Sequence, residues 1–471
     1  MASVAELAEV CDGTLHAGRG DGVEVPIVDA SHDSHAIQPG WLYCCVPGSR
    51  VDGHDFAGAA VEAGAVALLV ERVLEINAVP QIVVPSTRAA MGPVASAIHN
   101  HPSSAMTVIG VTGTNGKSSI VQLLADIFSH VGRRAEIVGT LMGARTTPEA
   151  TDLQRLLAAA RNNGCDMVAV EVSSHALDMG RVDGTRFASA IFTNLGRDHL
   201  DYHHTIDAYF EAKARLFTDG FTDHAVVNID DPYGRRLVER IPDSVTVDTY
   251  SLDKALGLRF DGPTSLFRWD GHDVVLPLAG AHNVSNALGA ATAALTAGIP
   301  IERIVAALEK SAPVRGRFEL VSGGQPFHVA IDYAHTPDAM QSALTAARQV
   351  AGPNRVLVVF GCGGDRDAQK RPEMGRVAER GADVAIVTSD NPRSEDPDAI
   401  IAAVVEGFET PRAALVEPDR RRAIEAALRR AETGDVVLIA GKGHETYQEI
   451  GEDRLRFDDA EVAREILEAL A

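Results

Sequence analysis

Met106-Thr-Val-Ile-Gly110-Val111-Thr-Gly113-Thr114-Asn115-Gly116-Lys117-Ser118-Ser119 decides how this chain is read. Residues 106–111 form a nearly unbroken apolar run of strand length, the kind buried on both faces of a parallel sheet. After Lys117, Ile120, Val121, Leu123, Leu124, Ile127 and Phe128 trace one face of a helix. Between strand and helix lies a glycine-rich turn, whose backbone N–H groups can curl toward phosphate oxygens while the helix N-terminus adds positive partial charge. The strict phosphate-loop pattern asks for glycine at the position of Val111; here glycine stands one residue earlier, at Gly110. The core Gly113-x-x-Gly116-Lys117-Ser118 is intact. Lys117 is therefore expected to reach the β/γ-phosphates of a nucleotide, and the Ser118 hydroxyl to ligate Mg²⁺.

The same unit, an apolar run followed at once by a polar cluster, recurs along the chain. Residues 167–172 precede Ser173-Ser-His175, and residues 188–192 precede Thr193-Asn-Leu-Gly-Arg-Asp198-His199. Later, 329–331 precede Asp332-Tyr-Ala-His335, 356–360 precede Gly361-Cys-Gly-Gly-Asp-Arg366, 384–387 precede Thr388-Ser-Asp390-Asn391-Pro392-Arg393, and 436–440 precede Gly441-Lys-Gly-His-Glu445. In open parallel sheets, ligands bind beyond the carboxyl ends of the strands, where these clusters fall. The fold class is α/β. Breaks at Asn100-His-Pro-Ser-Ser and around Pro313-Val-Arg-Gly-Arg317 divide the chain into bodies 1–102, 103–313 and 314–471. Residues 246–278, with short alternating strands and turn residues, read as a β excursion within the middle body.

With 471 residues, 45% hydrophobic and 23% charged, the chain can bury a core in every body. A formal charge of −22 excludes a general nucleic-acid binder, since that affinity comes from clustered Lys and Arg. Cys11, Cys44, Cys45, Cys165 and Cys362 show neither C-x-x-C spacing nor a disulfide framework. The start carries acid where a signal peptide carries base, and no apolar run reaches bilayer length. A cytoplasmic protein with no membrane span is expected.

Glu171, His175 and Asp198-His-Leu-Asp-Tyr-His-His204 gather carboxylate and imidazole groups near two strand ends. By itself that clustering equally suits a dinuclear phosphohydrolase, and His203 and His204 read as readily as ordinary hydrogen-bonded residues. Lys213, on a helical pattern with Phe210, Leu216 and Phe217 on the apolar side, reads alone as a solvated lysine.

Taken together, Gly113-Thr-Asn-Gly-Lys-Ser, Glu171-Val-Ser-Ser-His, Thr193-Asn-Leu-Gly-Arg-Asp-His-Leu-Asp-Tyr-His, Asp332-Tyr-Ala-His-Thr-Pro, Gly361-Cys-Gly-Gly-Asp-Arg-Asp and Gly441-Lys-Gly-His-Glu resemble the Mur ligases of bacterial peptidoglycan synthesis. The match keeps motif order from about Val28 to Gln448 and is most like the diaminopimelate-adding members. The resemblance implies a UDP-substrate domain, a central P-loop ATPase domain and a dinucleotide-fold-like C-terminal domain. It implies an ATP- and Mg²⁺-dependent ligase that phosphorylates a carboxylate, lets an amine attack the acyl phosphate, and works as a monomer. Its substrates would be the UDP-N-acetylmuramoyl dipeptide and diaminopimelate; a lysine-adding or folylpolyglutamate-synthase-like ligase is the alternative.

By this resemblance Ser118, Glu171, His199 and Lys213 serve the metal, with Lys213 carbamylated, and Lys117, Lys213, His199 and Glu171 are the catalytic set. Gly113, Thr114, Asn115, Gly116, Lys117, Ser118, Ser119, His282, Asn283, Arg317 and Asp332 belong to the nucleotide site. For the UDP substrate the matching positions are Ser34, Ser49, Arg50, Val51, Thr146, Thr147, Ser173 and Arg181. The chain departs from the family pattern with His35 for an arginine, Met179 for a glutamine and Cys45 for an alanine. The amino-acid site is implied at Arg366, Asp390, Asn391, Pro392, Arg393, Gly441 and Glu445. Arg393 would fork onto the second carboxylate that distinguishes diaminopimelate from lysine, and Glu445 would meet the distal ammonium.

Overall fold

The computed structural model describes residues 2–18, 24–48, 50–141, 143 and 145–470. At its centre Thr107–Thr112 lies between Met167–Glu171 and Ser189–Phe192, and the sheet continues to Ala135–Val138 on one side and to His224–Asn228 and Thr246–Tyr250 on the other. All six strands are parallel. Their register pairs Val111 with Glu171 and Thr112 with Phe192, so Gly113, Ser173 and Thr193 leave the sheet at one edge. The helix Lys117–His130 then packs its apolar face, including Ile120, Leu124 and Phe128, into the core.

Gly110 is not a displaced phosphate-loop glycine. It lies inside the strand, where an added Cβ would stand 3.0 Å from the Phe187 ring, so its small size serves packing. The β excursion is also shorter than the sequence suggests. Thr246–Tyr250 pairs in parallel with His224–Asn228, and only Leu256–Asp261, Thr264–Trp269 and His272–Leu276 form the antiparallel insert. An edge strand is covered incompletely, and its residues before Tyr250 are exposed or half-buried, which is why it read as part of the insert.

The C-terminal sheet runs Glu319–Val321, His328–Asp332, Val436–Ala440, Val356–Phe360, Val384–Val387 and Leu415–Val416, parallel except for its first strand. Asp332, Gly361, Thr388 and Gly441 stand at its carboxyl edge. The N-terminal sheet runs Thr14–His16, Gln81–Val83, Ala67–Val70, Trp41–Cys44 and Asp29–Ser31, again parallel except for its first strand.

A buried carboxylate ties the N-terminal sheet to the middle one. Asp29 accepts from Arg155 Nε at 2.6 Å and faces His99 Nε2 at 3.1 Å, while Arg155 Nη2 donates to the Ala30 carbonyl at 2.8 Å. Arg155→Met should cost about 2 kcal/mol, the loss of charge-assisted hydrogen bonds with one charge left behind. Urea titration checks this, and an unchanged midpoint would show that the junction is held elsewhere.

Candidate active site

The phosphate loop is clamped from the neighbouring strand end. Asn194 Oδ1 accepts Asn115 N at 2.9 Å, and Thr193 Oγ1 donates to the Asn115 carbonyl at 2.6 Å. Thr114 joins the same clamp, with its hydroxyl accepting Gly196 N at 3.0 Å. Gly113 has φ +147°, and a Cβ there would fall 1.8 Å from Thr193 Oγ1, so no side chain fits. Among the described residues no side chain caps the N-terminus of Lys117–His130, which leaves its first N–H groups to an anion.

Two lysines converge on one carbonyl. Lys117 Nζ donates to Gly113 O at 2.8 Å and Thr114 O at 2.9 Å, and Lys213 Nζ donates to the same Gly113 O at 2.9 Å. Lys213 is 1% exposed and lies over the Tyr209 ring. This corrects the reading of Lys213 as solvated: on Ile206–Thr218 it stands between Phe210 and Phe217 on the buried face. Burial, with Lys117 alongside, holds its pKa well below that of a free lysine. Burial also lowers Lys117, against the opposing pull of Glu171 and Asp198. A pocket that crowds cations in this way favours an incoming anion.

Glu171 is buried and accepts from Thr140 N and Thr140 Oγ1 at 3.1 and 3.2 Å. His199 has φ +55°, and burial pushes its pKa down to about 4, leaving a neutral imidazole able to coordinate. Its ring lies edge-on to His175. His203 takes the ordinary role instead, bonded to Ser174 Oγ at 2.9 Å. Among the described residues no three His, Cys, Asp or Glu side chains are gathered as a metal cage. The donor set, a hydroxyl, a carboxylate and an imidazole beside a phosphate loop, suits Mg²⁺, which keeps waters and takes phosphate oxygens.

A cavity of about 310 Å³ opens over the loop, lined by Asn115, Gly116, Ser118 and Ser119 on one side and by His282, Asn283, Arg317 and Asp332 on the other. Arg317 Nη2 donates to Ser118 Oγ at 3.4 Å, and its buried Nε has no hydrogen-bond partner among the described residues, as suits a group meant for phosphate. Burial lowers the His282 pKa to about 4, while Asn283 is fixed by its bond to Ala279 O at 2.8 Å. Asp332 is held by N–H donation from Phe318 and Ala334, both at 2.8 Å.

A second cavity, of about 510 Å³, holds Arg366, Asp390, Asn391, Arg393, Gly441 and Glu445 together with Asp198 and His199. Asp390 and Arg393 do not form a local pair. Arg393 Nε instead donates to Glu449 Oε2 at 2.9 Å and its Nη1 to Gly364 O at 2.7 Å. Asn391 Nδ2 donates to Glu445 Oε2 at 2.8 Å. Pro392 adjoins this cavity through its neighbours Asn391 and Arg393, both of which line it.

At the N-terminal side, Thr147 Oγ1 donates to Glu171 O at 2.7 Å and accepts Ser173 N at 3.1 Å, and Thr146 Oγ1 meets Thr140 Oγ1 at 3.0 Å. Arg181 pairs with Glu149 at 3.0 Å, and its Nη2 lies 3.3 Å from Met179 Sδ. The structure thus gathers Thr146, Thr147 and Ser173 beside Glu171, with Arg181 joined to them through the Thr147 carbonyl. Ser34, Arg50 and Val51 stand apart, following Asp29–Ser31 and Trp41–Cys44 at the carboxyl edge of their own sheet. Ser49 lies outside the described residues.

The sequence matches the Mur ligase family catalytic domain over residues 27–104, the Mur ligase middle domain over 111–294 and the Mur ligase glutamate ligase domain over 316–443. The chain belongs to the Mur ligase family.

Among its relatives, the UDP-N-acetylmuramoyl-L-alanyl-D-glutamate–2,6-diaminopimelate ligase of Chromobacterium violaceum is 43% identical, over 94% of this chain and 95% of that protein. The same-named ligase of Syntrophomonas wolfei is 41% identical over 93% and 94%. A solved structure of a ligase of that name superposes with a TM-score of 0.71 at 33% identity, covering 100% of this chain and 99% of the other. The MurF ligase of Thermotoga maritima in complex with ADP, 18% identical, shares the fold with a TM-score of 0.68 over 96% and 100%. As a Mur ligase the chain is an ATP-dependent, amide-bond-forming enzyme of three-domain α/β fold.

Several residues around these two cavities had no assignment from the sequence. Asn194 clamps the loop, Asn286 and Asp338 line the first cavity, and Tyr333, His335, Lys370 and Lys442 stand at or beside the second. Asn194, Tyr333, His335 and Lys442 lie inside quoted motifs. The missing signal was which motif residues face a partner rather than the core.

Proposed function

We propose that this Mur ligase uses ATP and Mg²⁺ to add 2,6-diaminopimelate to the D-glutamyl γ-carboxylate of UDP-N-acetylmuramoyl-L-alanyl-D-glutamate, in peptidoglycan precursor synthesis. One observation carries the reading: consecutive residues serve the two cavities, with Asp332 lining the first and Tyr333 the second. Arg317 spans that partition, bonded to Ser118 and lying over the Tyr333 ring. A phosphoryl donor and an amine can therefore approach one carboxylate from opposite sides.

A carboxylate is a poor electrophile until one oxygen becomes a good leaving group. Lys117 and Arg317 offset the repulsion between the carboxylate and the γ-phosphate as they meet. The carboxylate attacks phosphorus and ADP leaves; the amine then attacks the acyl carbon, loses a proton and displaces phosphate. Ser118, Glu171, His199 and a carbamate formed on Lys213 would hold Mg²⁺, which when bound neutralises phosphate charge. Burial and the neighbouring Lys117 favour the unprotonated Lys213 amine, the form that adds CO₂ and loses one proton to give a carbamate anion. In this reading bodies 1–102, 103–313 and 314–471 carry the UDP substrate, ATP and the amino acid.

Both cavities are built within one chain, which supports a monomer. Five free cysteines, four of them buried, fit a reducing cytoplasm. Among the described residues no helix is long and apolar enough to cross a membrane.

The test supplies ATP, Mg²⁺, the UDP-muramoyl dipeptide and a panel of amines. ADP and tripeptide are expected with diaminopimelate, and turnover with lysine should be roughly tenfold or more lower, because Arg393 would be left without its carboxylate. Equal turnover with lysine overturns the substrate assignment, and a requirement for a pterin moves it to folate tailing.

A further inference from the structure

Lys442 has no part in the chemistry above, yet its side chain is wholly buried at 0% exposure in the loop after Val436–Ala440. Its Nζ donates to Asn391 Oδ1 at 3.1 Å and to Glu445 Oε2 at 3.3 Å. Asn391 Nδ2 donates to that same carboxylate oxygen at 2.8 Å, and Asn391 Oδ1 also accepts Glu449 N at 2.9 Å. Both donors to Oε2 are thus tied into one network. Among the described residues, Glu445 Oε1 meets only the Tyr333 hydroxyl, at 3.5 Å.

An ammonium removed from water costs several kcal/mol, so an apolar side chain would fill this space with less penalty. The ammonium is kept where it can orient a carboxylate. Resting on the diamino-acid reading above, we infer that Lys442 is a positioning residue for substrate recognition: it grips Glu445 by Oε2, so that Oε1 is presented to the distal ammonium of the incoming diamino acid. Burial and the nearby Asp390 push the Glu445 carboxyl toward protonation, and Lys442 and Asn391 pull it back.

The full-length enzyme is tested by varying diaminopimelate, ATP and UDP-dipeptide in turn, with the other two saturating. Lys442→Met should raise KM for diaminopimelate about tenfold, while kcat at saturation stays within about threefold and KM for ATP does not move. In a Glu445→Gln background the same step should cost less than about twofold, since the carboxylate it serves is gone. If Lys442→Met is insoluble, Lys442→Gln is carried through the same cycle. Unchanged KM for diaminopimelate, equal cost in both backgrounds, or a fall in kcat with all three KM values moving together would each overturn the inference. Wild-type enzyme that forms ADP only with another class of amine overturns the substrate assignment, and this inference with it.

Discussion

Lys117→Ala should lower ADP formation by roughly 10³-fold, with product amide falling in step, as expected for removing a charged donor aimed at a transferring phosphoryl group. The side chain is pinned by the Gly113 and Thr114 carbonyls at 2.8 and 2.9 Å, so its ammonium is fixed over the loop before any nucleotide arrives. That pre-organisation is what alanine removes. Substitution also relieves Lys213, which shares the Gly113 carbonyl, so the Lys213 pKa should rise in the variant. The fold should survive, because the loop is held through Asn194 and Thr193 rather than through Lys117. Single-turnover ADP release measured alongside thermal unfolding separates the two effects. Undiminished phosphate release from a folded variant would mean that hydrolysis at a metal centre, without the phosphate loop, is the activity.

The sequence made the strands legible wherever both faces are covered. Val356–Phe360, Val384–Val387 and Val436–Ala440 lie where the apolar runs placed them, because a strand buried between helices needs an unbroken apolar stretch. The edge strand Thr246–Tyr250 was misassigned for the converse reason, as its outer face meets solvent and its composition alternates. Lys213 was legible in principle. It lies three residues after Phe210 and four before Phe217, the middle of the apolar arc, and a lysine there either breaks the helix face or has a purpose. The partners that fix the site were not legible. Asn194 meets Asn115 and Lys442 meets Asn391 across 79 and 51 residues of chain, distances over which spacing carries no information.

Arg393→Ala should cut the preference for diaminopimelate over lysine by roughly tenfold or more, chiefly through KM for diaminopimelate. Arg393 has φ +52°, a left-handed backbone costing a non-glycine residue about 1 kcal/mol or more. The conformation persists because the hairpin Tyr447–Ile450 and Asp453–Arg456 fixes both backbone groups: Arg393 N donates to Glu449 O at 3.1 Å and Gly451 N donates to Arg393 O at 2.8 Å. The guanidinium is then gripped at Nε by Glu449 and at Nη1 by Gly364 O. Held at Nε and Nη1, the guanidinium keeps its Nη2 donors, unbonded among the described residues, for the cavity shared with Glu445, where a second carboxylate can use them and lysine cannot. Arg393→Lys keeps the charge and loses the fork, so it should recover little of the discrimination. If Arg393→Ala leaves the diaminopimelate-to-lysine ratio of kcat/KM unchanged, the arginine is a hairpin anchor paired with Glu449, and selection between the two amines must come from elsewhere in the pocket.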